Sequence, residues 1–464
     1  MGAPLIYDGI DLQYPDTLKL KQVQILFRHG ERTAIYNHRN IKQWERWGFP
    51  IFWPLCNSSR SSRVGVIDAV KREVGTFEYE REIETPYITA QKKKTKLFEN
   101  ADKKGICLEG ELTDLGRLSG FRLGQQIRQL YVDKLAFLPR NFTDPADFYL
   151  RTTSIIRSRE TLQHLFAGVY PPANFLALPK IFERFPFEEN LYPTTFNCSR
   201  LKELRQQFVD HYANIWDPKL VAPSEALRQV LSSPTTQITV DGPKDEAWGI
   251  IDSYVAATAA GIQTPKAFEN RDAVNLVGRA ALESEFNGYE QNNELQKLGM
   301  GRFFGEVLDR MTVGDPVTTS NDTGITELTG KPNVVKKIPK LALYAAHDSS
   351  IGTILSTLGV FTDKKWIGFT SHIVFEQFET ASLAKIFQFK TEYVRVKYNG
   401  KPVILPVCKP AGKHLDGDET LCTMSAFRDL VKSVSPTDWH KECVANLGHR
   451  APELVTGELE PEPI

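Results

Sequence analysis

Two arginines flank a histidine where an apolar stretch of the sequence ends. The segment KQVQILFRHGERTAIY runs from a predicted strand into Arg28-His29-Gly30-Glu31-Arg32. Guanidinium groups bind a phosphate dianion through paired, charge-assisted hydrogen bonds, and glycine permits close approach of the backbone. Because the neighbouring positive charges disfavour the imidazolium form, we expect His29 to stay neutral and nucleophilic. The motif therefore predicts attack of a histidine on a phosphoryl group.

Two further segments place similar side chains after predicted strands. DFYLRTTSIIRSRETLQHLF contains Arg151, and KLALYAAHDSSIGTIL contains His347 and Asp348. Because ligands of open α/β sheets bind beyond the carboxyl ends of strands, we expect all three groups to meet at one sheet edge. Arg28, Arg32, Arg151 and His347 would then bind the phosphate, and Asp348 would protonate the leaving oxygen as a general acid.

Each of these signals is weak when it is taken alone. A histidine near a strand end usually belongs to the core or the surface, and a single arginine in that place is more often part of a salt bridge. The ordered set, with every member at a strand end, favours the catalytic interpretation. Glu31 receives no catalytic role and is interpreted as a partner of solvent or of neighbouring groups.

The surrounding pattern alternates between strands and helices, which predicts a parallel, three-layer α/β core. The segment GELTDLGRLSGFRLGQQIRQLYVDKL predicts a helix, with Thr113 as its N-cap. Later in the chain, VFEQFETASLAKIFQFKTEYVRVKYNGKPV alternates like antiparallel strands, and Asn399-Gly400 predicts a hairpin turn.

The core is predicted to be discontinuous in sequence, because long insertions separate its parts. The predicted divisions are 15–35, 108–175 and 336–445 for the catalytic core, 36–107 for an insertion near the substrate entrance, 178–315 for a mainly helical cap, 316–335 for a polar loop and 452–464 for a disordered acidic tail.

The composition excludes several classes of protein. Lys+Arg and Asp+Glu number 57 each, so no overall charge points to a nucleic-acid partner. No apolar run reaches the roughly 18 residues of a membrane span, which predicts no integral membrane segment. The N-terminal segment does not resemble a signal peptide, which predicts an intracellular protein that is not secreted. On that basis the six cysteines are expected to be free buried thiols, with a local bridge near the C-terminus as the alternative.

Four blocks of the sequence resemble the signature blocks of histidine acid phosphatases, which form branch 2 of the histidine phosphatase superfamily. The blocks are RHGERTA, GELTDLGRLSGFRLGQQIRQLY, LRTTSIIRSRETLQ and YAAHDSSIGTIL, and the chain is most similar to the lysophosphatidic acid phosphatase group. Two positions depart from the family pattern: Ala34 stands where proline is frequent, and Glu31 stands where a small residue or aspartate is usual.

The resemblance implies a phosphoglycerate-mutase-like core of six or seven strands with a helical cap. It also implies that His29 forms a phosphohistidine, that Asp348 donates the proton, and that neither a metal nor a cofactor is needed. Relatives in this group include mitochondrial proteins, so the compartment is expected to be mitochondrial or cytoplasmic.

The expected substrate is a small phosphomonoester, with a lysophospholipid as one candidate. The insertion NHRNIKQWERWGFPIFWPLC is aromatic, and its side chains either pack the cap or line a trough for an acyl chain. The aromatic residues are Trp44, Trp47, Phe49, Phe52 and Trp53.

Other functions are open to a chain with these motifs. A phosphoglycerate mutase shares the RHG nucleophile but is shorter and takes its acid from another segment. An inositol-polyphosphate phosphatase or phytase needs many basic groups around its pocket. A catalytically inactive phosphate-binding relative is the alternative outside enzymes.

Overall fold

The computed structural model describes residues 14–35, 53–68, 73–83, 105–233, 235–242, 245–312, 337–362, 364–380 and 391–456. Its strands are β1 (Leu18–Arg28), β2 (Ser61–Asp68), β3 (Glu73–Glu80), β4 (Phe148–Thr152), β5 (Ile181–Phe182), β6 (Leu341–Ala346), β7 (His372–Thr380), β8 (Glu392–Tyr398), β9 (Lys401–Val403), β10 (His414–Leu415) and β11 (Asp418–Thr423). Its α-helices are α1 (Asp114–Ile127), α2 (Ile156–Val169), α3 (Ser199–Trp216), α4 (Val221–Ala226), α5 (Ala247–Ala259), α6 (Arg271–Phe286), α7 (Gly288–Gln291), α8 (Asn293–Gln296), α9 (Arg302–Thr312), α10 (Asp348–Thr357), α11 (Met424–Val434), α12 (Trp439–Glu442) and α13 (Pro452–Thr456).

The central sheet is mixed rather than parallel. In the described ranges it has nine strands in the order β10-β11-β8-β7-β1-β6-β4-β5, with β9 paired to β8. Strand β1 runs parallel to β6 and antiparallel to β7, and β7 pairs antiparallel with β8. The predicted parallel part of the core comprises β1, β6, β4 and β5, and the segment predicted to form antiparallel strands supplies β7, β8 and β9. The implied count of six or seven strands is exceeded by the short strands β5, β9 and β10.

The hairpin between β8 and β9 forms where the sequence predicted it. Tyr398 pairs with Lys401, which leaves Asn399 and Gly400 as the two turn residues. Both have positive φ angles, 47° and 81°, as the tightest hairpin turns require. The turn prediction is confirmed.

Two helical layers enclose the sheet. Helices α1 and α2 cover one face, where Ile25, Leu123 and Leu165 share a buried apolar cluster. Helices α9, α10 and α11 cover the opposite face, where Leu26 and Ile354 share another. Because successive strand residues point to opposite faces, neighbouring residues of β1 enter different clusters. The three-layer α/β core is confirmed.

A third buried cluster forms the cap, which is built mainly from α3, α4, α5 and α6 around Trp216. Trp53 belongs to the same cluster and is 1% exposed. For this residue the packing interpretation holds, and the side chain does not line an open trough. The remaining aromatic residues of that insertion lie outside the described residues: Trp44, Trp47, Phe49 and Phe52. None of the helices in the described ranges is long and apolar enough to cross a membrane.

All six cysteines are paired, which corrects the expectation of free thiols. The disulfides are Cys56–Cys107, Cys198–Cys443 and Cys408–Cys422. Two of them join residues that are 51 and 245 positions apart in sequence. Folding brings these partners together, and sequence spacing alone gave no sign of it.

The beginning of the predicted disordered tail is helical. Helix α13 follows Ala451 and buries Leu454 in the cap cluster, while Glu453 accepts a hydrogen bond from Asn292 at 2.8 Å. The burial of Leu454 and the hydrogen bond to Glu453 together hold this helical turn against the cap. Residues 457–464, the polar loop at 316–335 and most of the insertion at 36–107 lie outside the described residues.

A carboxylate on the central strand β7 is buried and accepts hydrogen bonds from several buried side chains. Glu376 of β7 is fully buried and accepts hydrogen bonds from Arg395 at 2.9 Å, Lys397 at 2.8 Å and Tyr131 at 2.6 Å. Burial by itself would raise the pKa of Glu376, but the two cations outweigh it and lower that pKa to about 2. The charged form is therefore favoured by folding.

We predict that Glu376→Ala lowers the free energy of unfolding by roughly 3–5 kcal/mol, because it leaves buried cations without their carboxylate. Since the folded pKa of Glu376 lies below the unfolded one, this stabilisation is present above about pH 4.5 and is lost as the pH falls toward 2. Urea unfolding across this range measures both effects. The control Glu392→Gln removes a partly exposed partner of Lys21 and should cost less than roughly 1 kcal/mol. Equal losses for the two variants would contradict the assignment.

Candidate active site

Two strand ends place two histidines side by side at one edge of the sheet. Arg28 is the last residue of β1 and pairs with Ala346, the last residue of β6. His29 and His347 follow directly, and their ring centroids lie 5.6 Å apart in an edge-on arrangement. The parallel register of β1 and β6 therefore brings together groups that are more than 300 residues apart.

The loop after β1 is held against helix α1. The Gly30 N–H donates to Thr161 Oγ1 at 3.1 Å, and a side chain at Gly30 would meet the Gly116 carbonyl oxygen at 2.2 Å. Thr113 caps α1 as predicted, because its hydroxyl accepts from the Gly116 N–H at 3.1 Å. The Thr113 N–H donates to the Glu31 carbonyl at 2.9 Å, so helix and loop have a fixed relation.

His29 is presented as a neutral imidazole. Its Nδ1 lies 2.9 Å from the Gly30 carbonyl oxygen. Because a carbonyl oxygen only accepts, Nδ1 carries the proton, and Nε2 keeps its lone pair. Burial and the positive charges of Arg157, Arg28 and Arg32 lower the pKa of His29 well below its ordinary value. The predicted neutral, nucleophilic histidine is thus supported by its surroundings.

Arg28 is buried between an aromatic ring and a carboxylate. Its guanidinium lies 4.2 Å from the centre of the Phe369 ring, and its Nη1 donates to the Ile367 carbonyl. Nη2 is 2.6 Å from Asp348 Oδ2. The Nε atom is buried and lacks a hydrogen-bond partner among the described residues, so this N–H is available to an anion beside His29.

Arg32 is held by a carboxylate that the sequence did not predict. Its Nη2 and Nη1 donate to the two oxygens of Asp252 at 2.6 and 3.1 Å. Both side chains are 2% exposed. Asp252 belongs to α5 of the cap, more than 200 residues along the chain, and no local motif marked it.

His347 and Asp348 begin helix α10. His347 is the N-cap, and its Nε2 lies 3.1 Å from Thr153 Oγ1. Burial and the charge of Arg157 lower the pKa of His347 to about 3, so this ring is also neutral. Burial by itself would raise the pKa of Asp348, but the charge of Arg28 leads a set of influences that hold it below its ordinary value.

The structure corrects the predicted role of Arg151. Its side chain is fully buried, and the guanidinium donates to Glu306 at 3.0 Å and to Glu189 at 2.6 Å. Arg151 lies inside β4 rather than after it, opposite Tyr344 of β6. The alternation of strand side chains points it into the layer of α9, which carries Glu306. Its charge therefore belongs to that ion network and not to the site around His29.

Arg157 occupies the place that the sequence assigned to Arg151. It lies in the first turn of α2, and its Nε is buried without a hydrogen-bond partner among the described residues. After burial, its charge is the strongest influence that lowers the pKa of His29 and His347. Burial and the charge of Arg32 lower the pKa of Arg157 itself to about 10. A signal existed in the same block, because a helix that follows a strand begins at the ligand-binding edge.

Glu31 is buried near enough to Arg28 for the two charges to influence each other. It is 6% exposed, so the expected contact with solvent is absent, and its Oε2 has no hydrogen-bond partner in the described ranges. Burial raises the pKa of Glu31, although a hydrogen bond from Ser119 opposes this effect. Its surroundings give it no contact with His29.

Residues 19–399 match the family model of the histidine phosphatase superfamily, branch 2. A probable acid phosphatase of Schizosaccharomyces pombe is 30% identical, with 94% of this chain and 96% of that protein aligned. Lysophosphatidic acid phosphatase type 6 of Homo sapiens is 25% identical, with 92% of this chain and 86% of that protein aligned.

Solved structures with the same fold include phytases. Hafnia alvei phytase in complex with myo-inositol hexakis sulphate aligns with a TM-score of 0.57 at 15% identity, over 91% of this chain and 99% of that one. The multiple inositol polyphosphate phosphatase of Bifidobacterium longum, in complex with phosphate, aligns with a TM-score of 0.56 at 12% identity, over 94% of this chain and 98% of that one. At these identities the likeness concerns the fold.

We predict that Arg157→Ala weakens binding of inorganic phosphate by roughly 10- to 100-fold, because it removes a charge-assisted donor from the site. Arg151→Ala should instead lower the free energy of unfolding by roughly 3–5 kcal/mol, because it breaks a buried ion network. Isothermal titration calorimetry and urea unfolding separate the two effects.

Arg159→Ala is the matched control for this pair. Arg159 lies on the same helix as Arg157 but is partly exposed and pairs with Glu183 at 3.4 Å. Neither phosphate affinity nor stability should change much in this variant. Weaker phosphate binding in folded Arg151→Ala than in Arg157→Ala would restore the original assignment.

Proposed function

This chain belongs to branch 2 of the histidine phosphatase superfamily and is an acid phosphatase, a phosphoric monoester hydrolase; we propose that His29 is its nucleophile and Asp348 its general acid. The observation that carries this proposal is the hydrogen bond from His29 Nδ1 to the Gly30 carbonyl. It leaves the Nε2 lone pair among buried guanidiniums, where a phosphoryl group would bind.

The first half of the proposed reaction transfers the phosphoryl group to His29. A bond forms between Nε2 and phosphorus while the ester P–O bond breaks. Asp348 gives its proton to the leaving oxygen, which departs as an alcohol. In the second half a water molecule attacks phosphorus, the Asp348 carboxylate takes a proton from that water, and the N–P bond breaks. Phosphate leaves, and neutral His29 is restored.

Arg28, Arg32, Arg157 and His347 are proposed to bind the phosphoryl oxygens. Buried Nε donors of Arg28 and Arg157 support this role, since an anion would supply their missing acceptor. Donors fixed in place before reaction stabilise the charge that develops on these oxygens. No step of this scheme uses a metal ion, and we predict that the activity does not depend on added metal.

An acidic working range follows from the surroundings of Asp348. Its pKa is held low mainly by Arg28, so the protonated form becomes more abundant as the pH falls. The pKa of His29 is lowered further below its own ordinary value, and the imidazole stays neutral in mild acid. Bound phosphate also offsets the guanidinium charges, which makes Asp348 easier to protonate in the complex.

We predict that the effect of Asp348→Asn depends on the leaving group. Nitrophenolate departs with little help, so p-nitrophenyl phosphate should lose roughly 10-fold or less in kcat. Glycerol phosphate needs a protonated leaving group and should lose roughly 10²- to 10⁴-fold. The control His29→Ala should lose activity on both substrates by several orders of magnitude. Equal losses of Asp348→Asn on the two substrates would show that another residue supplies the proton.

A lysophospholipid is the proposed substrate class. A cavity of about 1110 Å³ lies between α5, α6 and the segment before Ile367, with Ile251, Val255, Val274, Phe361 and Trp366 among its apolar lining. This volume is slightly above the roughly 300–1,000 Å³ that is usual for small-molecule sites.

We assign the acyl chain to this cavity because two of its lining residues directly precede residues that contact the site arginines. Ile251 precedes Asp252, which binds Arg32, and Trp366 precedes Ile367, which accepts from Arg28. An acyl chain placed in this cavity would gain roughly 0.8 kcal/mol per buried methylene. The similarity to a lysophosphatidic acid phosphatase supports the same choice.

An inositol-polyphosphate substrate is less well supported. Its phosphates would need several cations with open donors, whereas two of the four cations that line the cavity are paired with carboxylates. Arg279 contacts Glu283 at 2.6 Å, and Lys364 contacts Glu290. An inactive phosphate-binding relative is disfavoured because the nucleophile, the proton donor and the guanidiniums stand together.

We predict that kcat/KM rises with acyl length when lysophosphatidates are compared with glycerol phosphate and phytate. The rise should come through KM, because burial of the chain stabilises substrate and transition state alike. Val255→Glu, which places a charge in the cavity, should reduce this dependence. The control Val221→Glu changes an exposed valine of the cap and should retain it. No rise with chain length, or a preference for phytate, would exclude the lipid substrate.

The compartment is proposed to be oxidising. Three disulfides use all six cysteines, and disulfides seldom persist in the reducing cytoplasm. This argues against the cytoplasmic half of the sequence prediction.

A further inference from the structure

We propose that Asp252 is a positioning residue that orients Arg32 toward the bound phosphate and keeps it away from Asp348. The proposal rests on the proposed function, in which Arg32 binds the phosphoryl group and Asp348 donates the proton. It assigns a role in catalysis to the cap, whose helix α5 carries Asp252.

The geometry of the pair fixes the plane of the guanidinium. Both terminal nitrogens of Arg32 donate to Asp252, at 2.6 and 3.1 Å, and Nη1 also donates to the Thr33 carbonyl at 3.1 Å. A two-point contact between planar groups restricts rotation in a way that a single contact cannot. Asp252 is itself held, since Ser253 and Ala256 on the same helix are buried in the cap.

Without Asp252, the remaining charges would draw Arg32 elsewhere. Arg28 and Arg157 repel Arg32, because each has its pKa lowered by burial and by the charge of Arg32. Asp348 is a nearby carboxylate that remains, and its pKa is already lowered by Arg28 and Arg32. A tighter contact with Arg32 would lower the pKa of Asp348 further, so a smaller fraction of Asp348 would carry the proton at a given pH. Asp252 opposes this shift and takes no part in the proton transfer.

The two carboxylates therefore have separate tasks. Asp348 gains and loses a proton in every turnover, so it cannot serve as a constant counter-charge. Asp252 can, and it acts on the other cations as well, because it raises the pKa of Arg28 and of Arg157. The charged and titratable groups that face Asp348 are Arg28, Arg32, Arg157 and His347.

Asp252→Asn tests the proposal with two kinetic measurements. With p-nitrophenyl phosphate and glycerol phosphate, kcat/KM should fall about 10- to 100-fold, since misplacement of a binding group by about 1 Å has effects of that order. With glycerol phosphate, the decline of kcat/KM at rising pH should begin at lower pH than in the wild type. Removal of a negative charge and closer approach of Arg32 both lower the pKa of Asp348.

A double-mutant cycle separates positioning from support of the fold. In the Arg32→Ala background, Asp252→Asn should lower kcat/KM by a clearly smaller factor than in the wild type, because the positioning part of its effect passes through Arg32. If Asp252→Asn folds poorly, the double variant Arg32→Ala/Asp252→Ala is compared with Arg32→Ala instead. It removes both buried charges together, so it leaves neither one without its partner. An equal fall of kcat/KM in both backgrounds, or an unchanged pH profile, would overturn the proposal.

Asp245→Asn is the control for loss of a buried cap carboxylate. Asp245 is 4% exposed and accepts hydrogen bonds from the Ser232 N–H at 2.9 and 3.0 Å. This variant should lower the temperature of unfolding without a shift of the pH profile. If Asp252→Asn behaves like Asp245→Asn while His29→Ala is inactive, positioning is excluded and the proposed function stands. Activity of His29→Ala would instead exclude the proposed nucleophile.

Discussion

Three guanidinium groups surround one neutral histidine, two of them buried and the third partly buried, and this is the constraint on which the site depends. Arg28, Arg32 and Arg157 repel one another, and each loses hydration when it is buried. The same charges keep His29 unprotonated, so the repulsion is part of what makes the nucleophile available. Counter-charges must therefore come from elsewhere, and they have to leave open the donors that phosphate would use.

Those counter-charges come from different layers of the molecule. Asp348 begins α10 on one face of the sheet and lies 2.6 Å from Arg28. Asp252 comes from the cap and binds Arg32. The complete site exists only where strand ends, the helix on the sheet and the cap helix meet. The cap therefore supplies one of the charged groups of the site.

A second buried cation network shows how the fold distributes similar charges. Arg151 contacts Glu189 and Glu306 in the layer of α9, away from the strand ends that carry His29 and His347. Burial would raise the pKa of Glu306, but Arg151 leads the cations that hold it well below its ordinary value. Arg157, six residues later, faces His29 instead. Two arginines of one sequence block thus serve stability and ligand binding separately.

The sequence by itself determined the features that depend on neighbouring residues. The RHG and HD motifs at strand ends, the N-cap Thr113 and the turn at Asn399-Gly400 are set by local geometry, and the structure has each of them where it was expected. Tertiary structure alone decided the features that depend on facing and long-range pairing. The alternation of side chains along β4 turned Arg151 away from the site. Contacts between distant segments selected Asp252, the two long-range disulfides and the position of β7 beside β1. Such pairings are fixed by how whole elements pack against each other, and that packing is not encoded in the spacing of residues along any one element.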